Sequence, residues 1–175
     1  MTTTGRSCLQ RWQLHRGALL ELLDRLPESA SGLRIWPGGR STLELANHVA
    51  TQAEEFLAPA IGRPGPPTEP LPTLGAVRNH LARQVEELGA ELLKLSPAEL
   101  TRMVKVPRQN LTAPAAELIH LHIQHEAYHL GQLIYHARLL GIHPPFYAQN
   151  LWNFASAENW GESPKGVTSV KPCVE

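Results

Sequence analysis

Two histidines, His125 and His129, stand four residues apart in a long apolar segment whose pattern predicts a helix. Four residues of α-helix rise about 6 Å, and residues i and i+4 lie on one face of the helix. Two neutral imidazole nitrogens at this spacing can bind one cation at about 2.0–2.1 Å. The spacing therefore predicts part of a metal site, and a further ligand must come from elsewhere in the chain.

The same residues fit the H-E-x-x-H pattern of zinc peptidases, in which the glutamate, here Glu126, is the general base. The metzincin form of the pattern requires glycine and histidine three and six residues after the second histidine. Gln132 and Tyr135 occupy those positions. A peptidase with a glutamate as third ligand stays open, because Glu158 and Glu162 follow the helix. We keep the zinc peptidase as the less favoured alternative.

A segment upstream supplies another histidine. Ser41 and Glu44 match a capping box, which predicts a helix that begins at Ser41. This helix should run to about Ala58, because Pro59 cannot continue it. His48 lies on the shoulder of the apolar stripe, where a lone histidine is usually a hydrogen-bonded core or boundary residue. This helix alone would favour a structural role for His48.

The two segments together resemble the DinB/YfiT-like superfamily. The resemblance rests on the pattern E-L-x-x-H-V at 44–49 and on H-E-x-x-H-x-G-Q-L at 125–133, and it covers most of the chain. The ending L-L-G-I-H-P-P at 139–145 is also similar to the end of the family's last helix. The resemblance implies a four-helix bundle in which His48, His125 and His129 bind one divalent metal.

Three neutral imidazoles with an open coordination position describe a reactive site, because the metal lowers the pKa of a bound water or thiol. Zinc is the expected metal, and nickel, iron and manganese are alternatives that also accept imidazole. The resemblance implies chemistry with a low-molecular-weight thiol, as in the family's thiol S-transferases and thiol-dependent isomerases. We expect a metal-dependent transferase or hydrolase for a small-molecule substrate. A non-enzymatic metal-binding bundle with a stress-response role is the alternative.

Length and charge narrow the class of protein further. The 175 residues should form a single domain, with an irregular C-terminal tail from about residue 153. Sixteen basic and sixteen acidic residues cancel, so nothing indicates a nucleic-acid partner. We expect a cytoplasmic protein without membrane contact, because the N-terminus lacks a signal-peptide core and no run approaches about 20 apolar residues. Cys8 and Cys173 suggest reduced thiols.

Hydrophobic periodicity predicts an all-α fold of four long helices. They should span about 7–26, 42–58, a segment from about 73, and 113–140, with a Pro- and Gly-rich crossover at 59–72. Ser96 and Glu99 predict a short extra helical turn. The strand-like stretch 102–107 is too short and isolated to form a sheet on its own, so we interpret it as an extended connection.

The last helix carries two stripes. The polar-rich stripe falls within about 40° of one direction. It consists of Leu118, His122, His125, His129, Gln132 and His136. A second, apolar stripe lies roughly 130° away. It consists of Ile119, Ile123, Leu130, Ile134 and Ala137. The second stripe must pack against a neighbouring helix or a second subunit, and together with the family's tendency to dimerise it predicts a homodimer.

Spacing alone does not choose between the pairs His122–His125 and His125–His129, and the resemblance selects the second. His122 and His136 then either support the ligands, line the pocket or lie at the edge of the core. Glu126 points about 100° away from its neighbours on the helical wheel. We interpret it as a surface carboxylate in preference to a catalytic base.

A cleft that turns over small molecules would have further side chains beside the metal. The candidates for this lining are Trp12, His15, Gln52 and His80. His15 lies within the apolar stripe of the first helix, where a buried, hydrogen-bonded structural histidine is the favoured interpretation.

Overall fold

The computed structural model of the protein describes residues 4–65 and 69–143. Its four long helices are α1 (Gly5–Arg25), α2 (Thr42–Ala60), α3 (Leu74–Leu92) and α5 (Ala115–Leu139). A short helix α4 (Pro97–Thr101) and two strands, β1 (Met103–Val106) and β2 (Leu111–Pro114), lie between α3 and α5, and single 3₁₀ turns span Glu28–Ala30 and Pro107–Gln109. The predicted mostly helical bundle is confirmed. The tail, Glu158, Glu162 and Cys173 lie outside the described residues.

The two predicted capping boxes are confirmed. The Ser41 Oγ accepts a hydrogen bond from the Glu44 N–H at 3.2 Å, and the Glu44 carboxylate accepts one from the Ser41 N–H at 2.8 Å. Ser96 and Glu99 form the same reciprocal pair at the start of α4. Each box satisfies backbone donors that the first helical turn leaves without partners.

The predicted end of α2 at Ala58 is wrong, because the helix continues through Pro59 to Ala60. A proline in the last turn removes only one backbone donor, and its fixed φ is compatible with helix. The end is set by Gly62, whose φ of 81° is readily adopted by glycine. The Gly62 N–H bonds to the Pro59 carbonyl at 3.0 Å and the Arg63 N–H to the Ala58 carbonyl at 2.8 Å, which is the Schellman pattern.

The interpretation of 102–107 as an isolated extended connection is also wrong. Strand β1 pairs antiparallel with β2, with Met103 opposite Pro114 and Val106 opposite Leu111. The chain reverses at Asn110, whose φ is 47°. Because β2 takes up residues that the periodicity assigned to the helix, α5 begins at Ala115, two residues later than expected.

The second stripe of α5 packs inside the subunit. Ile119, Ile123, Leu130 and Ala137 are buried, and Ile134 packs against the core cluster that contains Leu130 and Ala137. The stripe therefore needs no second subunit, and the homodimer remains a prediction without this support. The apolar side chains that α5 does expose are Leu121, Tyr128, Tyr135, Leu139 and Leu140 of its C-terminal cap.

The described part of the chain contains no candidate membrane-spanning helix. None of the helices there combines the length and the apolar character that a bilayer span requires.

Candidate metal centre

Three histidines from two helices meet where α2 packs against α5. The Nε2 atom of His125 lies 3.1 Å from the His48 Nε2 and 3.0 Å from the His129 Nε2. The rings meet edge to face, with centroids 4.3–4.9 Å apart. Within the described residues, the set His48, His125 and His129 is the group whose potential ligand atoms all lie within 4.8 Å of one another.

The register of α2 against α5 brings these rings together. The Thr42 hydroxyl lies 2.9 Å from the His136 Nδ1 at the start of α2, and both side chains are buried. His48 follows on α2 while His125 and His129 precede His136 on α5, so the two helices run antiparallel at this contact. His136 therefore fixes the helix pair beside the centre. Burial lowers the pKa of His136.

The two nitrogen separations that involve His125 fit a divalent cation. Two imidazole nitrogens bound at about 2.05 Å would lie about 2.9 Å apart at a right angle and about 3.3 Å apart at a tetrahedral angle. The two measured separations of 3.0 and 3.1 Å fall in this interval. Protons shared between neighbouring rings could satisfy these nitrogens only in part, whereas one cation can accept a lone pair from each.

The protonation state also suits metal binding. Burial lowers the pKa of His48 to about 4, and the positive charge of Arg40 acts in the same direction. Burial and the neighbouring imidazoles lower the pKa of His125 to about 4. Burial lowers the pKa of His129 as well, and the hydrogen bond that His129 donates to Gln132 acts in the opposite direction. All three rings are therefore neutral near pH 7, which is the state that binds metal.

Gln132 orients one of the rings, a role that the sequence did not reveal. The His129 Nδ1 lies 2.7 Å from the Gln132 Oε1. Because an amide oxygen accepts, Nδ1 carries the proton and the Nε2 lone pair faces the cluster. The Gln132 Nε2 in turn donates to the exposed Tyr128 hydroxyl at 3.1 Å. The i,i+3 spacing from His129 to Gln132 was the available signal.

Glu126 is not the surface carboxylate that the helical wheel suggested. Its side chain is 0% exposed and forms a two-pronged ion pair with Arg16 of α1, at 2.9 and 2.7 Å. The Trp12 Nε1 donates a third hydrogen bond at 3.1 Å. Burial opposes the charge, but the charge and hydrogen bonds of Arg16, together with the nearby His122, keep the pKa of Glu126 below its usual range. The helical wheel gave the correct direction for the Glu126 side chain, but α1 covers that face of α5 and buries it.

This arrangement removes the peptidase's general base. A general base must reach the proton that it abstracts. The Glu126 carboxylate instead is tied to Arg16 and Trp12 in the core, and it remains ionised and fully engaged there.

The Arg16–Glu126 pair belongs to a buried network that joins all four long helices. The Arg16 Nη1 donates to the Leu81 carbonyl and to the Gln84 Oε1, both at 3.0 Å. The Gln84 Nε2 donates to the Ala50 carbonyl of α2 at 3.0 Å. The network therefore holds α5 in place next to His125.

His122 lies in the core beside this network and is completely buried. Its ring stands edge-on to the Trp12 ring with centroids 6.0 Å apart. The His122 Nε2 is 3.2 Å from a Glu126 oxygen but without the alignment of a hydrogen bond. Burial lowers the pKa of His122 despite the nearby Glu126 carboxylate. His122 therefore packs behind the centre, and the pair that faces His48 is His125–His129.

Three of the side chains predicted to line a cleft contact different partners: Trp12 bonds to Glu126, Gln52 to Glu55, and His80 lies beside Gln84. Trp12 is 0% exposed, so its assignment to an open cleft is wrong. The half-buried His80 has its Nε2 3.1 Å from the Gln84 Nε2, at the edge of the buried network. Gln52 donates to Glu55 at 2.5 Å. His15 is half-buried, and burial lowers its pKa against the charge of Glu126.

Fold and site together define a helical bundle with a candidate three-histidine metal centre, built from one ligand on the second helix and two on the last. The sequence model of the DinB superfamily matches residues 11–133, which include all three histidines. The chain belongs to the DinB superfamily.

Two solved structures share the fold. A DinB-like protein from Bacillus cereus is 22% identical with a TM-score of 0.71, and the match covers 83% of this chain and 98% of that one. The DinB-like protein YjoA from Bacillus subtilis is 21% identical with a TM-score of 0.67, covering 81% and 96%. No curated protein matches this sequence. At these identities the structural matches establish the fold alone.

Proposed function

We propose that this protein is a metal-dependent enzyme that binds one divalent metal through His48, His125 and His129 and activates a thiol cofactor or water. The main support for the proposal is that the Nε2 atoms of three neutral imidazoles from two helices lie close together. A bound metal would lower the pKa of a thiol or water at its open position. Zinc suits the ligands best, and nickel, iron or manganese would also accept them.

The surroundings favour a thiol over water. In the described part of the chain, no carboxylate makes a hydrogen bond or salt bridge with any of the three histidines, and Glu126 is bound to Arg16. Activation of water by metal is commonly assisted by a general base, whereas coordination deprotonates a thiol outright. The charge of Arg40, which acts on His48 and His129, also favours an anionic ligand.

The ligand set is tested by replacing His48. The His48→Ala variant should lose metal affinity by about 100-fold or more, since even residues that only support a ligand are worth 10–100-fold. Competition with a chromophoric zinc chelator measures the dissociation constant, and elemental analysis gives the occupancy. His120→Ala is the matched control, because His120 is on α5 but outside the cluster. Unchanged affinity in His48→Ala would remove His48 from the site.

The chemistry is tested with the same proteins. A screen of low-molecular-weight thiols against an electrophilic aromatic chloride should show turnover with metal-loaded protein, and this turnover should be lost in His48→Ala and retained in His120→Ala. Chelated wild type should regain activity when metal is restored. If the protein binds metal but catalyses neither thiol conjugation nor ester hydrolysis, it would instead be a non-enzymatic metal-binding bundle.

Metal removal should leave the helices intact. Capped helices and two large clusters of buried apolar side chains hold this fold, unlike small zinc domains that are unfolded without the ion. Chelation should cost about 2.7 kcal/mol of stability if free metal stands about 100-fold above its dissociation constant. Far-UV circular dichroism before and after chelation measures the helix content. Loss of helix at room temperature would instead assign the metal a structural role.

A further inference from the structure

A second feature, a cleft between α2 and the hairpin, is distinct from the histidine cluster. Its walls are the last two turns of α2, the Gly62 turn and strand β1, and its volume is about 660 Å³. Val104 and Val106 give it a buried apolar floor, and Met103, which is 60% exposed, lies at its edge. This volume is typical of a small organic ligand and exceeds that of a simple ion.

Positive charge gathers at the rim of this cleft. Arg63, Arg102, Lys105 and Arg108 line it, against two carboxylates, in a protein whose overall net charge is zero. The side chains of Arg63 and Lys105 are exposed and make no hydrogen bond or salt bridge with any residue of the described ranges. Clustered guanidinium and ammonium groups of this kind bind carboxylates and phosphates.

The two carboxylates of the cleft are already engaged. Glu54 accepts a hydrogen bond from Gln84 at 2.9 Å. Glu55, whose side chain is only 13% exposed, pairs with Arg108 at 3.2 Å and accepts a hydrogen bond from Gln52 at 2.5 Å. These bonds leave Arg63 and Lys105 as the unengaged charges, so the cleft is suited to an anion.

The cleft lies close to the histidine cluster along α2. Glu55 follows His48 by seven residues, which is two turns on the same face of the helix and about 10.5 Å along its axis. The charge of Glu55 acts on the His48 ring and partly opposes the effect of burial there. A small molecule about 10 Å long could therefore reach from one place to the other.

We propose that this cleft binds the oxyanion end, a carboxylate or phosphate, of an elongated small molecule whose other end reaches the three-histidine centre. Arg63 and Lys105 bind the oxyanion, and the apolar floor contacts the carbon skeleton. The proposal of an oxyanion site depends only on the features of the cleft. The reach to the centre rests on the proposed function, so the two parts are tested separately.

The oxyanion site is tested on the metal-free full chain by amide NMR titration with three probes. Glutarate and inorganic phosphate supply the two oxyanions, and glutaramide is the uncharged match for glutarate. Amides of Gly62, Arg63 and strand β1 should shift with at least one oxyanion and not with glutaramide, and the stronger oxyanion identifies the group.

Charge-matched variants decide whether the named cations are responsible. Affinity should fall by about fivefold or more in the double variant Arg63→Gln/Lys105→Gln, since each exposed ion pair contributes up to about 1 kcal/mol. The control Lys94→Gln/Arg138→Gln removes the same charge from exposed residues outside the cleft and should bind as wild type does. Equal shifts with glutaramide, or unchanged affinity in the cleft variant, would overturn the oxyanion site.

The reach to the centre is tested on cobalt-loaded protein, where thiolate binding produces a charge-transfer band. Glutathione, which carries carboxylates, should bind about fivefold more weakly to the cleft variant than to wild type, while 2-mercaptoethanol should bind both equally. Equal losses for both thiols, or no loss for either, would refute the link. If cobalt or both thiols fail to bind, the proposed function fails, and the NMR titration still decides on the oxyanion site.

Discussion

Replacing Arg16 with methionine should lower the free energy of unfolding by about 3–5 kcal/mol, the effect of leaving a buried charge without its partner. Both side chains of the Arg16–Glu126 pair are 0% exposed. The substitution removes the two-pronged ion pair and also the hydrogen bonds to Leu81 and Gln84. Urea unfolding followed by circular dichroism measures the change.

A more exposed ion pair, which joins α1 to a different helix, provides the control. Arg78 of α3 pairs with Asp24 of α1, but these side chains are 35% and 53% exposed. Arg78→Met should therefore cost about 1 kcal/mol or less, because water already solvates both charges. A similar loss in Arg16→Met would show that the buried pair contributes no more than a surface pair.

A double variant separates the stranded charge from lost packing. Arg16→Met/Glu126→Gln removes both charges and keeps an amide oxygen that can accept from Trp12. It should recover part of the stability that Arg16→Met loses, because the remaining side chain no longer carries an unpaired charge. No recovery would mean that the hydrogen bonds of Arg16 to α3, and not the charge on Glu126, account for the loss.

The bundle could be predicted from the sequence because the features that indicate each helix are local to that helix. The capping boxes at Ser41 and Ser96 satisfy donors within one helical turn, and Gly141 ends α5 with a φ of 72°. The i,i+4 spacing of His125 and His129 likewise depends on one helix alone. Such features can be predicted without knowing how the helices pack.

The errors on Glu126 and on strand β1 concern residues whose roles depend on contacts outside their own element. Glu126 was assigned to the surface because nothing near it in the sequence indicates Arg16, which lies 110 residues away. The four-residue strand β1 was left unpaired because its partner β2 is equally short and carries no strand alternation of its own. Selection of His48 as third ligand rested on the family resemblance, since its own helix gave only a boundary position.

Acid should destabilise the metal-free protein well above the range in which carboxylates titrate. Seven histidines have a pKa lowered chiefly by burial. They are His15, His48, His80, His122, His125, His129 and His136. The structure stabilises their neutral forms, because transfer of a charged imidazole into the protein interior is unfavourable.

The sign of the effect follows from which state binds protons first. In the unfolded chain these rings titrate near about 6.5, whereas in the folded protein the pKa values of His48 and His125 are about 4. As pH falls below about 6.5, the unfolded state takes up protons that the folded state does not, so the free energy of unfolding decreases. The stabilisation is complete above about pH 6.5 and is lost progressively toward about pH 4.

Urea unfolding of metal-free protein at a series of pH values between about 7.5 and 4.5 measures this slope. Each histidine contributes at most about 1.4 kcal/mol per pH unit, and the half-exposed ones less. His48→Ala should reduce the slope, whereas Lys94→Gln, an exposed change that removes no imidazole, should not. The lowered pKa values of Glu28, Glu44 and Glu99 act below about 4.5 and therefore do not contribute here. Stability that stays constant or rises as pH falls from about 6.5 to 5 would mean that these rings accept protons in the folded protein, and the neutral three-histidine centre would then lose its physical basis.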